Sequence, residues 1–237
     1  MFLNGEQVTK KWLASRLEHV IWGNDEAFIT SEVKRGIEYG FRTIYAPNSH
    51  WYGLVHDMLA GTGILMSTPI NFYHGIACHG AIAAEAALCE KSGLTAMDLI
   101  PDRNALELRD WKSLADSVRA ARDNFSGEIK VLTNCNDSLD VMYHMVDAIK
   151  EGGASHVKAY DQNKIGCPMN RIQLLKKKCD EVGLELKASG NGKYWTTAIC
   201  MGAYAAGAQC VSASNTFQIV DDLPIFEELY SKYTQQA

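Results

Sequence analysis

Short apolar runs alternate along the chain with longer stretches whose apolar residues recur every three or four positions. The short runs are "LEHVI" (17–21), "TIYA" (43–46), "ILMSTPIN" (64–71), "AMDLI" (96–100), "IKVLTN" (129–134), "HVKAY" (156–160), "LELKA" (184–188) and "QCVSA" (209–213). Near-continuous apolar runs of this length read as strands buried on both faces. In 109–124, Trp111, Leu114, Ala115, Val118 and Ala121 keep helical spacing, and in 137–152 so do Leu139, Met142, Met145, Val146 and Ile149. That spacing puts one apolar stripe on each helix. Helix starts are signalled by Asn24–Asp25–Glu26, Asn136–Asp137, Pro168 and Asp221–Asp222. Stops are signalled by Gly40, Gly93, Gly152–Gly153, Gly183 and Gly207.

Strand and helix therefore alternate eight times. Helical crossovers return each strand in the same direction, so the strands pair in parallel. Eight such units predict a closed (β/α)8 TIM barrel of the α/β class, spanning residues 1–237 as one domain. An open doubly wound sheet is the weaker alternative, since it usually has fewer strands.

Composition narrows the picture. Apolar residues make up 47% and charged residues 22% of the chain, as in ordinary globular proteins. The net charge is −5 and the densest basic run is "KKK" at 176–178, which argues against nucleic acid as a partner. No apolar run has the length of a membrane span, so no membrane partner is expected. Seven cysteines without a C-x-x-C pair, and no signal-like N-terminus, predict reduced thiols in the cytoplasm.

Two lysines stand out. Lys158 and Lys187 end neighbouring strands, at the end of the barrel where active sites gather. Asp98 on strand four and Lys130 on strand five point to the same interior. Lysine is rarely buried without a purpose or a partner. Burial and a neighbouring cation both lower an amine's pKa, and a neutral amine attacks carbonyl carbon to form a Schiff base. A carboxylate nearby moves the protons that step requires. The same residues taken singly could be structural ion pairs or solvent-reaching strand ends.

At these residues the sequence resembles the 2-deoxyribose-5-phosphate aldolases, Schiff-base aldolases on a (β/α)8 barrel. "RLEHVIWGND" is similar to the family's I-D-H-T-x-L opening, with Glu18 for Asp, and the segment ending in "FYHG" to its F-P-H-G. "AMDLI" resembles E-[IV]-D-x-V, "IKVLTNC" L-K-V-I-x-E, "GASHVKAY" G-A-x-F-[IV]-K-T-S, "LELKASGNG" V-K-[AP]-[SA]-G-G, and "GAQCVSASN" the strand-eight end. The resemblance implies Lys158 as the Schiff-base lysine, Lys187 as the second catalytic lysine and Asp98 as the proton-transfer carboxylate. It places substrate-binding positions at Lys130, Asn134, His74, Ser189, Gly190, Asn191, Gly192, Ser212 and Ser214. It implies a small aldehyde or sugar-phosphate substrate, no cofactor, no metal and a homo-oligomer.

The departures cluster on the phosphate side. The family's S-T-G after the Schiff-base strand is Tyr160, Asp161 and Gln162, and its G-G after the second lysine is Gly190–Asn191. An aspartate repels an anion where glycine would admit it. A changed substrate, phosphorylated differently or not at all, is therefore expected. "SGNGKYWT" matches neither G-x-G-x-x-G nor a P-loop; it reads as an anion-binding turn or as a plain one. His74, His79 and Glu85 lack zinc-type spacing. Cys167 reads as an ordinary loop thiol. Tyr230 and Tyr233 are loose counterparts of the family's terminal tyrosine. Two other functions fit the same pattern: a barrel sugar-phosphate isomerase or epimerase with anion-binding lysines, and a non-catalytic barrel that binds or assembles.

Overall fold

Eight parallel strands run where the apolar runs predict them. The computed structural model describes residues 1–161, 166–190 and 195–234, so the expected positions Gln162, Asn191, Gly192 and the side chain of Tyr233 lie outside the described residues. The strands are β1 (Leu17–Val20), β2 (Thr43–Tyr45), β3 (Leu65–Ser67 and Pro69–Ile70), β4 (Ala96–Leu99), β5 (Glu128–Asn134), β6 (His156–Tyr160), β7 (Glu185–Ser189) and β8 (Cys210–Ala213). Each pairs in parallel with its sequence neighbours, and β8 pairs with β1. The ring closes through β3. Its first piece pairs with β2 and its second with β4, with the break at Thr68. The Thr68 carbonyl accepts from the Asp98 amide at 2.9 Å, which carries the ladder across the break.

Helices form the outer layer with the expected caps. Asp25 caps Glu26–Tyr39 by accepting from the Phe28 amide at 2.8 Å. Ser138, one residue beyond the predicted Asn136–Asp137, caps Leu139–Glu151. Gly40 and Gly183 end their helices in the left-handed conformation, with φ of 72° and 70°, where a Cβ would be strained. The stripes Leu114, Ala115, Val118 and Met142, Met145, Val146, Ile149 are buried against the barrel wall. Three additions were not legible: an N-terminal hairpin (Phe2–Leu3 with Glu6–Gln7), a short helix Arg103–Leu108 after β4, and a split last helix, Thr216–Asp221 and Leu223–Thr234. Among the described residues, no helix is long and apolar enough to cross a membrane.

Candidate active site

The C-terminal ends of the strands surround a cavity of about 420 Å³. Strand register decides what reaches it. Lys158 on β6 and Lys187 on β7 are direct cross-strand partners. Side chains alternate across a strand, so directly paired residues share a face, here the interior. Asp98 and Lys130 are partners in the same way across β4 and β5.

The result is a connected ionic cluster. Lys158 Nζ lies 2.5 Å from Asp98 Oδ2. Lys187 Nζ lies 3.0 Å from both Asp98 oxygens and 2.5 Å from Glu18 Oε2, and it also donates to the Tyr45 hydroxyl. An ammonium has three protons, and three neighbouring groups take them. The Tyr45 hydroxyl lies 2.8 Å from Asp98 Oδ2 and 3.0 Å from Glu18 Oε2, so its one proton serves one of two carboxylates. On the side away from the cavity, Glu18 Oε1 meets Lys130 Nζ at 2.8 Å and Arg42 Nη1 at 2.8 Å. Glu128 meets Arg42 at 2.6 Å and Lys130 at 3.2 Å. Glu18, Lys130 and Lys187 have no exposed side-chain surface, whereas the Lys158 side chain keeps 14%.

Charge and burial set the protonation states. Burial pushes the Asp98 carboxyl up, but Lys158, then Lys187 and Lys130, outweigh it and bring it to about 2. Glu18 is likewise held well below the carboxylate range: burial raises it, while Lys130, Lys187 and Arg42 lower it. The Lys158 amine is depressed by burial first. Asp98 opposes the shift and Lys187 adds to it. Three carboxylates (Glu18, Asp98, Glu128) thus face four basic groups (Arg42, Lys130, Lys158, Lys187). Deprotonating Lys158 evens the count, and Lys158 alone among those basic groups lines the cavity.

The other expected positions divide. Ser189, Gly190, Ser212 and Ser214 line the cavity with Lys158 and Asp98. Lys130 does not: it sits one pleat repeat below Leu132, the β5 residue that does reach the cavity, and is closed off against Glu18. Lys130 is thus placed as a partner of Glu18 below the cavity. Asn134 turns away to donate to Asp137 Oδ1 at 3.0 Å and is not a cavity residue. His74 is exposed beyond β3, its ring against Tyr73 with centroids 5.2 Å apart, and is outside the cavity lining. Glu85 accepts from the Asn71 amide and His79 lies 3.8 Å from Asp102, so the three residues weighed as metal ligands have separate partners. Cys167 is buried, and its thiol is pushed up by a hydrogen bond with Cys135 and by burial, which disfavours a reactive thiolate. Tyr230 is exposed on the last helix, its ring 6.0 Å from Phe226.

Two central residues went unassigned from sequence, Glu18 and Tyr45. A charged residue inside "LEHVI" and a phenol inside "TIYA" were the available signals.

Gly190 has a specific steric reason to be glycine. A Cβ there would lie 1.2 Å from Trp195 Nε1, and Trp195 is fully buried. Gly190→Ala is expected to displace the indole and the cavity wall together. The cost is about 1–3 kcal/mol of stability, with a drop in turnover of about tenfold or more from the misplaced wall. Thermal unfolding and steady-state rates check both.

A (β/α)8 barrel with a largely buried lysine at its cavity floor, held to a carboxylate that a second buried lysine shares, defines a lysine-centred barrel site. The comparisons with known proteins agree with the fold. No family profile matches the chain. It is 26% identical over 223 residues to a deoxyribose-phosphate aldolase from Methanothermobacter thermautotrophicus, covering 90% of this chain and 96% of that one. It is 22% identical over 209 residues to deoxyribose-phosphate aldolase 1 from Mesoplasma florum, covering 86% and 93%. In structure it is similar to a tetrameric deoxyribose phosphate aldolase from Aeropyrum pernix, with a TM-score of 0.79, 20% identity, and coverage of 91% and 92%. The chain is a distant relative of the deoxyribose-phosphate aldolases.

Proposed function

We propose that the protein is a class I aldolase, an aldehyde-lyase that joins or cleaves a small aldehyde donor and an aldehyde acceptor. The observation that carries this reading is Lys158 at the cavity floor, its amine depressed and held 2.5 Å from an Asp98 that Lys187 also holds. The supporting likenesses are those to deoxyribose-phosphate aldolases.

The residues divide the work as follows. Neutral Lys158 Nζ bonds to the donor carbonyl carbon, whose oxygen takes up a proton while Asp98 accepts the proton the nitrogen sheds. The proton held on Asp98 passes to that oxygen, which leaves as water and yields an iminium. Loss of a proton from the adjacent carbon gives an enamine. Its electron pair attacks the acceptor carbonyl carbon, and the acceptor oxygen takes a proton. Water then adds to the iminium, releasing the aldol and free Lys158, so one water leaves and one returns. Lys187, with its protons committed to Glu18, Asp98 and Tyr45, keeps Asp98 ionised and Lys158 low. The cycle uses only side chains and water. The same reading takes the protein as a homo-oligomer, supported by the tetrameric relative.

Borohydride trapping tests it. Acetaldehyde followed by borohydride should leave an ethyl group on Lys158, located by peptide mass. The trapping rate should rise with pH and level off below the ordinary lysine value of about 10.4, because the folded-state amine loses its proton early. Lys187→Met should slow trapping near neutral pH and less so at high pH. No adduct with any aldehyde or ketone, or an adduct confined to another lysine, would overturn the assignment.

A further inference from the structure

The acceptor side of the cavity has its own chemistry. Beyond the reacting pair, its wall is built from Val20, Trp22, Pro47, Phe72, Tyr73 and Ile100. Three of these form a continuous aromatic rim. Trp22 and Phe72 have ring centroids 6.5 Å apart, and Phe72 and Tyr73 5.1 Å. Their exposures are 63%, 51% and 57%. Large aromatic surface left in water at the mouth of a cavity is unfavourable unless something covers it during function. Ligand sites are typically this combination: apolar walls with a few placed polar groups. Here Ser189, Ser212 and Ser214 supply the hydroxyls.

We propose that the acceptor is an aldehyde with an apolar or aromatic tail, seated on Trp22, Phe72 and Tyr73. The inference rests on the aldolase reading above. With its carbonyl carbon at the Lys158 enamine, such an acceptor extends outward along the rim and covers it.

The test compares acceptors with acetaldehyde as donor, using the full chain: phenylacetaldehyde, glyceraldehyde and glyceraldehyde 3-phosphate. Phenylacetaldehyde should exceed glyceraldehyde in kcat/KM by about tenfold or more. Trp22→Ala should narrow the ratio of phenylacetaldehyde to glyceraldehyde by about tenfold. Acetaldehyde trapping at Lys158 is run in parallel. Trapping with a preference for glyceraldehyde 3-phosphate overturns the acceptor inference and leaves the aldolase reading standing. Absent trapping overturns the aldolase reading, and the acceptor inference with it. A Trp22→Ala variant that keeps its acceptor ratio but loses self-association, by sedimentation, assigns the rim to a subunit contact and likewise overturns the proposal.

Discussion

Lys158→Met is expected to abolish borohydride trapping and to lower the aldol rate by about 10⁴-fold or more, the scale seen when a covalent nucleophile is removed. Methionine keeps the length and apolar stem of lysine while deleting the nitrogen that would bond to the donor. The fold should survive. Asp98 retains Lys187 at 3.0 Å on both oxygens and Tyr45 at 2.8 Å, so no carboxylate is stranded. The folded state also sheds a group whose charged form is disfavoured by burial. Single-turnover kinetics and circular dichroism separate the two effects. A variant that still traps acetaldehyde, or loses less than about a hundredfold of its rate, would refute Lys158 as the nucleophile.

The largest loss of stability is expected from Glu18→Gln. Glu18 is fully buried and holds Lys130 at 2.8 Å, Lys187 at 2.5 Å and Arg42 at 2.8 Å. Replacing it with a neutral amide leaves two buried ammonium groups short of a counter-charge. Breaking a buried ion pair from one side typically costs about 3–5 kcal/mol. Urea unfolding at pH 7 measures it, and a loss under about 1 kcal/mol would mean the cluster is compensated elsewhere. The pH dependence has a definite sign. Glu18 and Asp98 are both depressed in the folded state, so their stabilisation is present above the unfolded carboxylate values of about 4. It is lost as pH falls through the folded values, which for Asp98 means toward about 2. The Glu18→Gln variant should show a shallower acid limb than the parent.

The barrel was legible because burial on both faces leaves parallel strands as plain apolar runs, most of them preceded by a glycine helix stop. Gly40 before "TIYA" and Gly183 before "LELKA" are instances, and the observed strands begin within a few residues of them. Asp98, Lys158 and Lys187 were legible as a group for the same reason: each lies near the end of a run. Glu18 and Tyr45 were not. They reach Lys187 from β1 and β2, which come near β7 only because β8 pairs with β1, and such contacts depend on ring closure, which local pattern does not encode. The level of Lys130 was not legible, because interior-facing and cavity-facing are different conditions. Leu132, two residues on, has the same facing and the higher level. His74 misled because its position in a resembling motif says nothing of how the chain turns after Asn71, where φ is 53°.

The direct pairing of Lys158 with Lys187 has an evolutionary corollary. A one-residue slip between β6 and β7 would turn one of the two outward, into the helix layer, and strand its charge in an apolar packing zone. A single-residue insertion or deletion inside either strand is expected to break this pairing. The surface helix Met169–Val182 that links them carries no such coupling and remains open to lengthening.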